Sequence, residues 1–157
     1  MDFKNKVVLI TGASSGIGKQ TAIEFAKLGS NIILVARRKD KLEQVENELK
    51  QFNVTTLTCP CDISKKDQVE IMSKTVLEKF NFVDILVNNA GFAIYGSVLD
   101  LSIEEIESQM ETNYFGMIYC TKNFLPLMLK KKSGHIVNVA SVAASFGLPG
   151  IASYCAS

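Results

Sequence analysis

The sequence carries no excess of either charge: 17 Lys and Arg stand against 16 Asp and Glu, a net of +1, with the two signs interspersed. A basic stripe of the kind that grips nucleic acid or an anionic membrane is therefore missing, which turns the search toward small-molecule chemistry. No run approaches the roughly 20 apolar residues that a membrane span needs. Met1 to Lys6 also lack the layout of a secretory leader, so a cytoplasmic location is expected. Cysteine is sparse: Cys59, Cys61, Cys120 and Cys155 form no paired framework, and Cys59-Pro60-Cys61 lacks the spacer of a zinc knuckle. No metal site is expected, and the thiols read as reduced and buried. Histidine occurs once, as His135 at the opening of a strand pattern, where a structural role is the simplest reading. Repeats, low-complexity tracts and linkers are absent.

What is present suits one domain spanning residues 1–157, since 157 residues with 47% hydrophobic content can bury a core. Five apolar runs of strand length are Val7 to Thr11, Asn31 to Ala36, Thr55 to Cys59, Asp84 to Asn88 and His135 to Ala140. They alternate with stretches of helical period, which predicts an α/β fold with a parallel sheet covered on both faces. The helical stripes are Ile23, Phe25, Ala26 and Leu28, then Leu42, Val45, Leu49 and Phe52, then Val69, Met72, Val76 and Phe80. Ser64 with Asp67 and Ser102 with Glu105 place a cap three residues before an acid and mark two helix starts. A long helix is predicted from Met110 to Lys131, kinked at Pro126, with Tyr114 and Phe115 packing along it. Lys130 to Lys132 would complement its dipole, and Gly134 would form its left-handed cap.

Gly12, Gly16 and Gly18 follow the first strand directly and open the first helix. Such a turn needs positive φ or bare backbone, and lets amide N–H groups and a helix N-terminus face a pyrophosphate with no Cβ in the way. Ser14, Ser15 and Ile17 belong to the same loop. A Walker-type phosphate loop around Lys19 would need glycine where Ala13 stands and Ser or Thr where Gln20 stands, so that reading fails. At the end of the second strand, a cofactor with a free ribose 2′-hydroxyl would want an acid; Arg37 and Arg38 stand there instead. Arginine can grip a 2′-phosphate, so NADP(H) is favoured over NAD(H), with a solvated loop arginine as the plain alternative. Asn89-Ala90-Gly91 ends the fourth strand, where open α/β sheets place ligands, and Ser141 ends the fifth at the same rim. A turn would explain the first and a capping hydroxyl the second.

Together these residues resemble the short-chain dehydrogenase/reductase family. Thr11-Gly12-x-x-x-Gly16-Ile17-Gly18 resembles its cofactor loop, Asp62-Ile63 its adenine contact and Asn88-Asn89-Ala90-Gly91 its fourth-strand motif. Asn113, Ser141 and Tyr154 resemble three of its four catalytic positions. The resemblance implies a doubly wound Rossmann sheet of seven strands in order 3-2-1-4-5-6-7, of which the first five are here. It also implies hydride transfer between NADP(H), or alternatively NAD(H), and a carbonyl or secondary alcohol. Tyr154 would exchange the hydroxyl proton and help bind the cofactor, Ser141 would hydrogen-bond the substrate oxygen, and Asn113 would anchor a water in the proton relay. A phenol, with an ordinary pKa of about 10, needs a neighbouring cation to act as a base near neutrality. The resemblance supplies it as a lysine four residues after Tyr154, on the same helix face.

The sequence stops at Ser157, one position earlier, so the expectation is a fragment of a longer enzyme that is itself inactive. A non-catalytic NADP(H)-binding module is the alternative. The resemblance further implies a homo-oligomer, a dimer or tetramer, when full length. The apolar character of Phe92 to Tyr95 and of Val142 to Gly150 suggests an uncharged or hydrophobic substrate.

Overall fold

The structure is a computed structural model that describes residues 2–157. Its centre is a five-stranded parallel sheet in the order β3-β2-β1-β4-β5, built from β1 (Val7–Thr11), β2 (Asn31–Ala36), β3 (Thr56–Pro60), β4 (Ile85–Asn88) and β5 (His135–Asn138). The connecting helices are α1 (Gly16–Lys27), α2 (Lys39–Leu49), α3 (Lys66–Phe80), α4 (Ile103–Met110) and α5 (Met117–Lys131), with a short α6 (Ala152–Ala156) at the end. This is the doubly wound, Rossmann-like arrangement expected of the sequence.

Strand periodicity divides the core in two. Val8 and Ile10 of β1, with Ile32 and Leu34 of β2, face Ala22 and Ala26 of α1 and Leu42, Val45 and Leu49 of α2. Val7 and Leu9, with Ile33 and Val35, face Val69, Met72 and Val76 of α3 and Cys120, Phe124 and Met128 of α5. A central strand buried on both faces has no polar side to show, which is why β1 reads as an unbroken apolar run ending in Thr11.

Several local expectations give way to side-chain chemistry. The buried seam of α1 is Gly18, Ala22 and Ala26, small residues at i, i+4 that let this helix lie close to the sheet; Ile23 and Phe25 pack against the same core partly buried, and of the predicted stripe only Leu28 is exposed. Ser64 does not cap α3. Its amide and hydroxyl both bond the Asp62 carboxylate, at 3.0 and 2.8 Å, and Lys65 occupies the cap position. Ser102 and Glu105 do form the reciprocal capping box at the start of α4.

The predicted single helix around Asn113 is instead α4, a wide π-helical segment over Glu111–Gly116, and α5. Tyr114 and Phe115 lie on that wide segment, each 43% exposed, and pack edge-to-face on one another rather than in the core. α5 runs on through Pro126. Its left-handed cap is Lys132 (φ 53°), with Ser133 N–H bonding Met128 O at 3.1 Å, not Gly134. Gly134 is needed for another reason, since a Cβ there would lie 2.5 Å from the Met128 side chain. The lysine run is not merely solvated either: Lys131 Nζ sits 3.6 Å from the Phe82 ring centroid and 3.8 Å from Asp84.

Strand ends shift by one or two residues. β4 begins at Ile85, although the Asp84 backbone still bonds Val7 and His135 and its carboxylate accepts Val7 N–H at 3.0 Å, and β5 stops at Asn138 before the chain turns toward Ser141. β3 and β5 form the two edges, and β5 is the more open, with Val137 45% exposed and Val139, just past its end, 41%. No helix among the described residues is long and apolar enough to cross a membrane.

Candidate active site

The sheet changes direction of winding between β1 and β4, and the crevice beyond their carboxyl ends is where such sheets bind ligands. A cavity of about 820 Å³ opens there. Its first wall is the β1–α1 loop, through Gly12, Ser14, Ser15, Gly16 and Ile17. Gly12 (φ 67°) and Gly16 (φ 54°) take the left-handed region. Beyond Gly16 there is open space, whereas a Cβ on Gly12 would lie 2.9 Å from the Ala90 backbone. Gly18 does not line the cavity. It is buried beneath the loop, where a Cβ would come within 2.5 Å of both the Gly12 carbonyl and the Asn89 amide.

α1 starts at this wall with no side-chain cap from Ser15 and no acid in its first turn, so no side chain satisfies its leading N–H groups beside the cavity. That end of a helix favours anionic oxygen. Arg37 and Arg38, past the end of β2, line the same cavity, as do Asp62 and Ile63 past β3. A glycine-lined helix N-terminus beside two guanidinium groups fits the phosphates of a dinucleotide.

The opposite wall comes from β4 and the elements after it. Asn89, Ala90 and Gly91 line the cavity, but the Asn89 side chain also has structural work: Nδ2 donates to Thr11 O at 2.9 Å. Thr11 is fully buried, and its hydroxyl accepts the N–H groups of Asn89 and Ala90 at 3.0 Å each, binding the two strand ends across the crevice. Only its position, a polar residue closing an apolar strand, could have signalled this in the sequence.

Asn113 reaches the cavity from the π-helical segment. Its Oδ1 accepts Phe92 N–H at 3.0 Å, and Nδ2 donates to Phe92 O at 2.9 Å and to Ser157 Oγ at 2.8 Å. Gly91 permits the approach, because a Cβ there would stand 3.1 Å from Asn113 Oδ1. Ser141 and Tyr154 line the same cavity. Ser141 Oγ accepts Ala143 N–H at 3.2 Å, which leaves its hydroxyl hydrogen free to be donated. Of the candidate catalytic and cofactor-binding residues, all except Gly18 border this one cavity, whereas of Phe92 to Tyr95 and Val142 to Gly150 only Phe92 and Ala144 do.

Cys59 and Cys120 lie apart from this chemistry, whereas the buried Cys61 and the partly buried Cys155 both border the cavity. Burial pushes the thiols of Cys59 up to about 11 and of Cys61 and Cys120 up to about 12. Cys155 is only partly buried and borders the cavity beside Tyr154, its Sγ 3.6 Å from Phe146 O.

The family model for the short chain dehydrogenases matches residues 6–157. The chain belongs to that family. It is 41% identical over 157 residues to a dehydrogenase/reductase SDR family protein 7-like of Anopheles gambiae, covering 97% of this chain and 50% of that protein. It is 37% identical over 153 residues to the 3-oxoacyl-(acyl-carrier-protein) reductase FabG of Staphylococcus epidermidis, covering 97% of this chain and 63% of that protein. The chain thus spans about half to under two thirds of these relatives. Among solved structures, a metagenomic short-chain oxidoreductase in complex with NADP superposes with a TM-score of 0.95 at 30% identity, over 99% of this chain and 71% of that one. An NAD+-bound xylitol dehydrogenase superposes with a TM-score of 0.93 at 30% identity, over 98% and 60% respectively. Family members thus bind either nicotinamide dinucleotide.

Proposed function

We propose that this short-chain dehydrogenase uses NADP(H) to interconvert a carbonyl and a secondary alcohol. The observation that carries the reading is the single cavity that gathers the glycine loop, Arg37, Arg38, Ser141 and Tyr154. The nicotinamide supplies the hydride chemistry when bound. The free N–H groups at the start of α1 hold the pyrophosphate, and Asp62 and Ile63 border the adenine end. Arg37 and Arg38 face the 2′-phosphate, which a carboxylate in their place would repel.

At the other end, the Ser141 hydroxyl donates to the substrate oxygen and stabilises the negative charge that grows there during reduction. Tyr154 gives the proton to that oxygen, or takes it back in oxidation; a cation beside the phenol would favour its phenolate form. Both hydrogens of the Asn113 side-chain amide are already engaged, so on that side chain a water in the relay would have only the second lone pair of Oδ1. Its firmer role is to fix the Phe92 backbone at the cavity wall.

Calorimetry with NADPH, NADH and ATP with Mg²⁺ tests the binding half, NADPH being the expected ligand. Arg37→Asp should move the preference toward NADH by about tenfold or more, the loss of a charge-assisted contact. An unchanged ratio would remove Arg37 from 2′-phosphate recognition. Oxidation of NADPH by the whole protein, rather than by residues 1–157 alone, in the presence of ethyl acetoacetate or benzaldehyde tests the catalytic half. Tight binding with no turnover of any carbonyl would favour a cofactor-binding module instead.

A further inference from the structure

Among the described residues, the largest fully buried side chains are all apolar except one, Gln109. It stands in the last turn of α4 and borders neither the cavity nor solvent. An amide in such a place costs about 1–3 kcal/mol unless it is hydrogen-bonded, and a leucine or methionine would fill the same volume without that cost. Its partners therefore indicate what it does. Gln109 Oε1 accepts Ile94 N–H at 3.0 Å, and Nε2 makes a longer bond of 3.3 Å to the Glu105 carbonyl one turn back.

Asn113 lies four residues further on and makes the matching contact to Phe92 N–H at 3.0 Å. Four helical residues rise about 6 Å, and two residues of extended chain advance about 6.6 Å, so amides one turn apart can meet alternate N–H groups of an extended strand. Gln109 and Asn113 thus form two rungs of a ladder against the segment after β4, which has no strand partner of its own. The next alternate N–H, that of Gly96, crosses instead to Gly150 O at 2.8 Å. One side of the segment is held by two side-chain amides, and its far end is joined to the stretch that begins at Ser141.

We infer that Gln109 is a positioning residue for the substrate end of the cavity. By holding Ile94 it fixes the wall containing Phe92 and, through the Gly96 to Gly150 link, the stretch downstream of Ser141. The consequence for substrate rests on the reductase reading above, whereas the ladder does not.

Gln109→Met removes the acceptor at similar volume, and Gln109→Glu retains an oxygen facing Ile94. The whole protein that contains this chain is to be compared in these forms by amide hydrogen exchange, NADPH calorimetry and steady-state reduction of ethyl acetoacetate at pH 6. In Gln109→Met, exchange at Ile94 should rise about tenfold while that of β1 and β4 is unchanged. NADPH affinity should stay within about twofold, and KM for ethyl acetoacetate should rise about fivefold with little change in kcat, since substrate placement is what weakens. Gln109→Glu should restore both the protection and the KM.

Unchanged exchange at Ile94 in Gln109→Met would overturn the inference whatever the turnover. So would a uniform rise across the sheet with KM unaltered, or a Glu variant no better than Met, because each describes a residue that serves only general stability. A whole wild-type protein that binds NADPH but reduces no carbonyl would overturn the reductase reading and the substrate half of this inference, while the Ile94 result still decides the ladder.

Discussion

Thr11 and Asn89 hold each other across the crevice: the Thr11 hydroxyl accepts Asn89 N–H at 3.0 Å, and the Asn89 amide returns a bond to the Thr11 carbonyl at 2.9 Å. The carbonyl and hydroxyl at the end of β1 thereby set the height of the β4 terminus. These bonds tie the end of β1, where the glycine loop starts, to the Asn89 to Gly91 wall.

Thr11→Val keeps the shape and removes the hydroxyl. Two N–H groups, those of Asn89 and Ala90, would lose their acceptor in a buried place, so stability should fall by about 2 kcal/mol or somewhat more. NADPH affinity should fall with it. A denaturant melt alongside calorimetry reads both, and a variant as stable as the wild type would overturn the role given to this hydroxyl.

Gly16 and Gly18 separate affinity from stability. Gly16→Ala meets no atom within 4 Å but must keep φ near 54°, so its backbone cost is about 1–2 kcal/mol and its methyl intrudes where the phosphates would lie. Gly18→Ala collides with the Gly12 carbonyl and the Asn89 amide, which are 2.5 Å from the new Cβ, and should cost more of the fold. Thermal melts should rank Gly18→Ala as the less stable of the two, with NADPH binding weakened in both.

The cysteines make a prediction about pH. In the native protein a maleimide should label Cys155 first, with the buried Cys59, Cys61 and Cys120 reacting only in denaturant. Because burial raises these three thiols above their unfolded value, the folded state holds their protons more firmly. That contribution is fully present below the unfolded pKa, near 9, and is lost as pH climbs toward 11 and 12. Stability should decline by up to about 1.4 kcal/mol per pH unit per thiol across that window. Serine at all three positions should flatten this part of the curve.

Much of the fold was legible because a doubly wound sheet writes itself into alternation: the apolar runs at Val7, Asn31 and Asp84 and the stripes Leu42-Val45-Leu49 and Val69-Met72-Val76 lie where the pattern places them. The cavity lining was legible because glycines, arginines and hydroxyls at strand ends share one rim. What pattern could not show were choices made by single side chains. Asp62 draws Ser64 away from its cap, Met128 leaves no room beside Gly134, and Ala22 carries a seam that a search for large residues passes over. Gln109 was invisible for the same reason, since only the distance to Ile94 distinguishes it from an ordinary helical glutamine.

The wide turn over Glu111–Gly116 has a mechanical result. One surplus residue in a helix rotates everything after it by about 100° relative to a regular continuation. That phase change lets Gln109 and Asn113 look toward the segment after β4 while Cys120 and Phe124, a few residues on, point into the sheet. Removing the extra residue would force a choice between the two faces: either the ladder keeps its register and α5 rolls off the core, or the core keeps α5 and the cavity wall comes adrift.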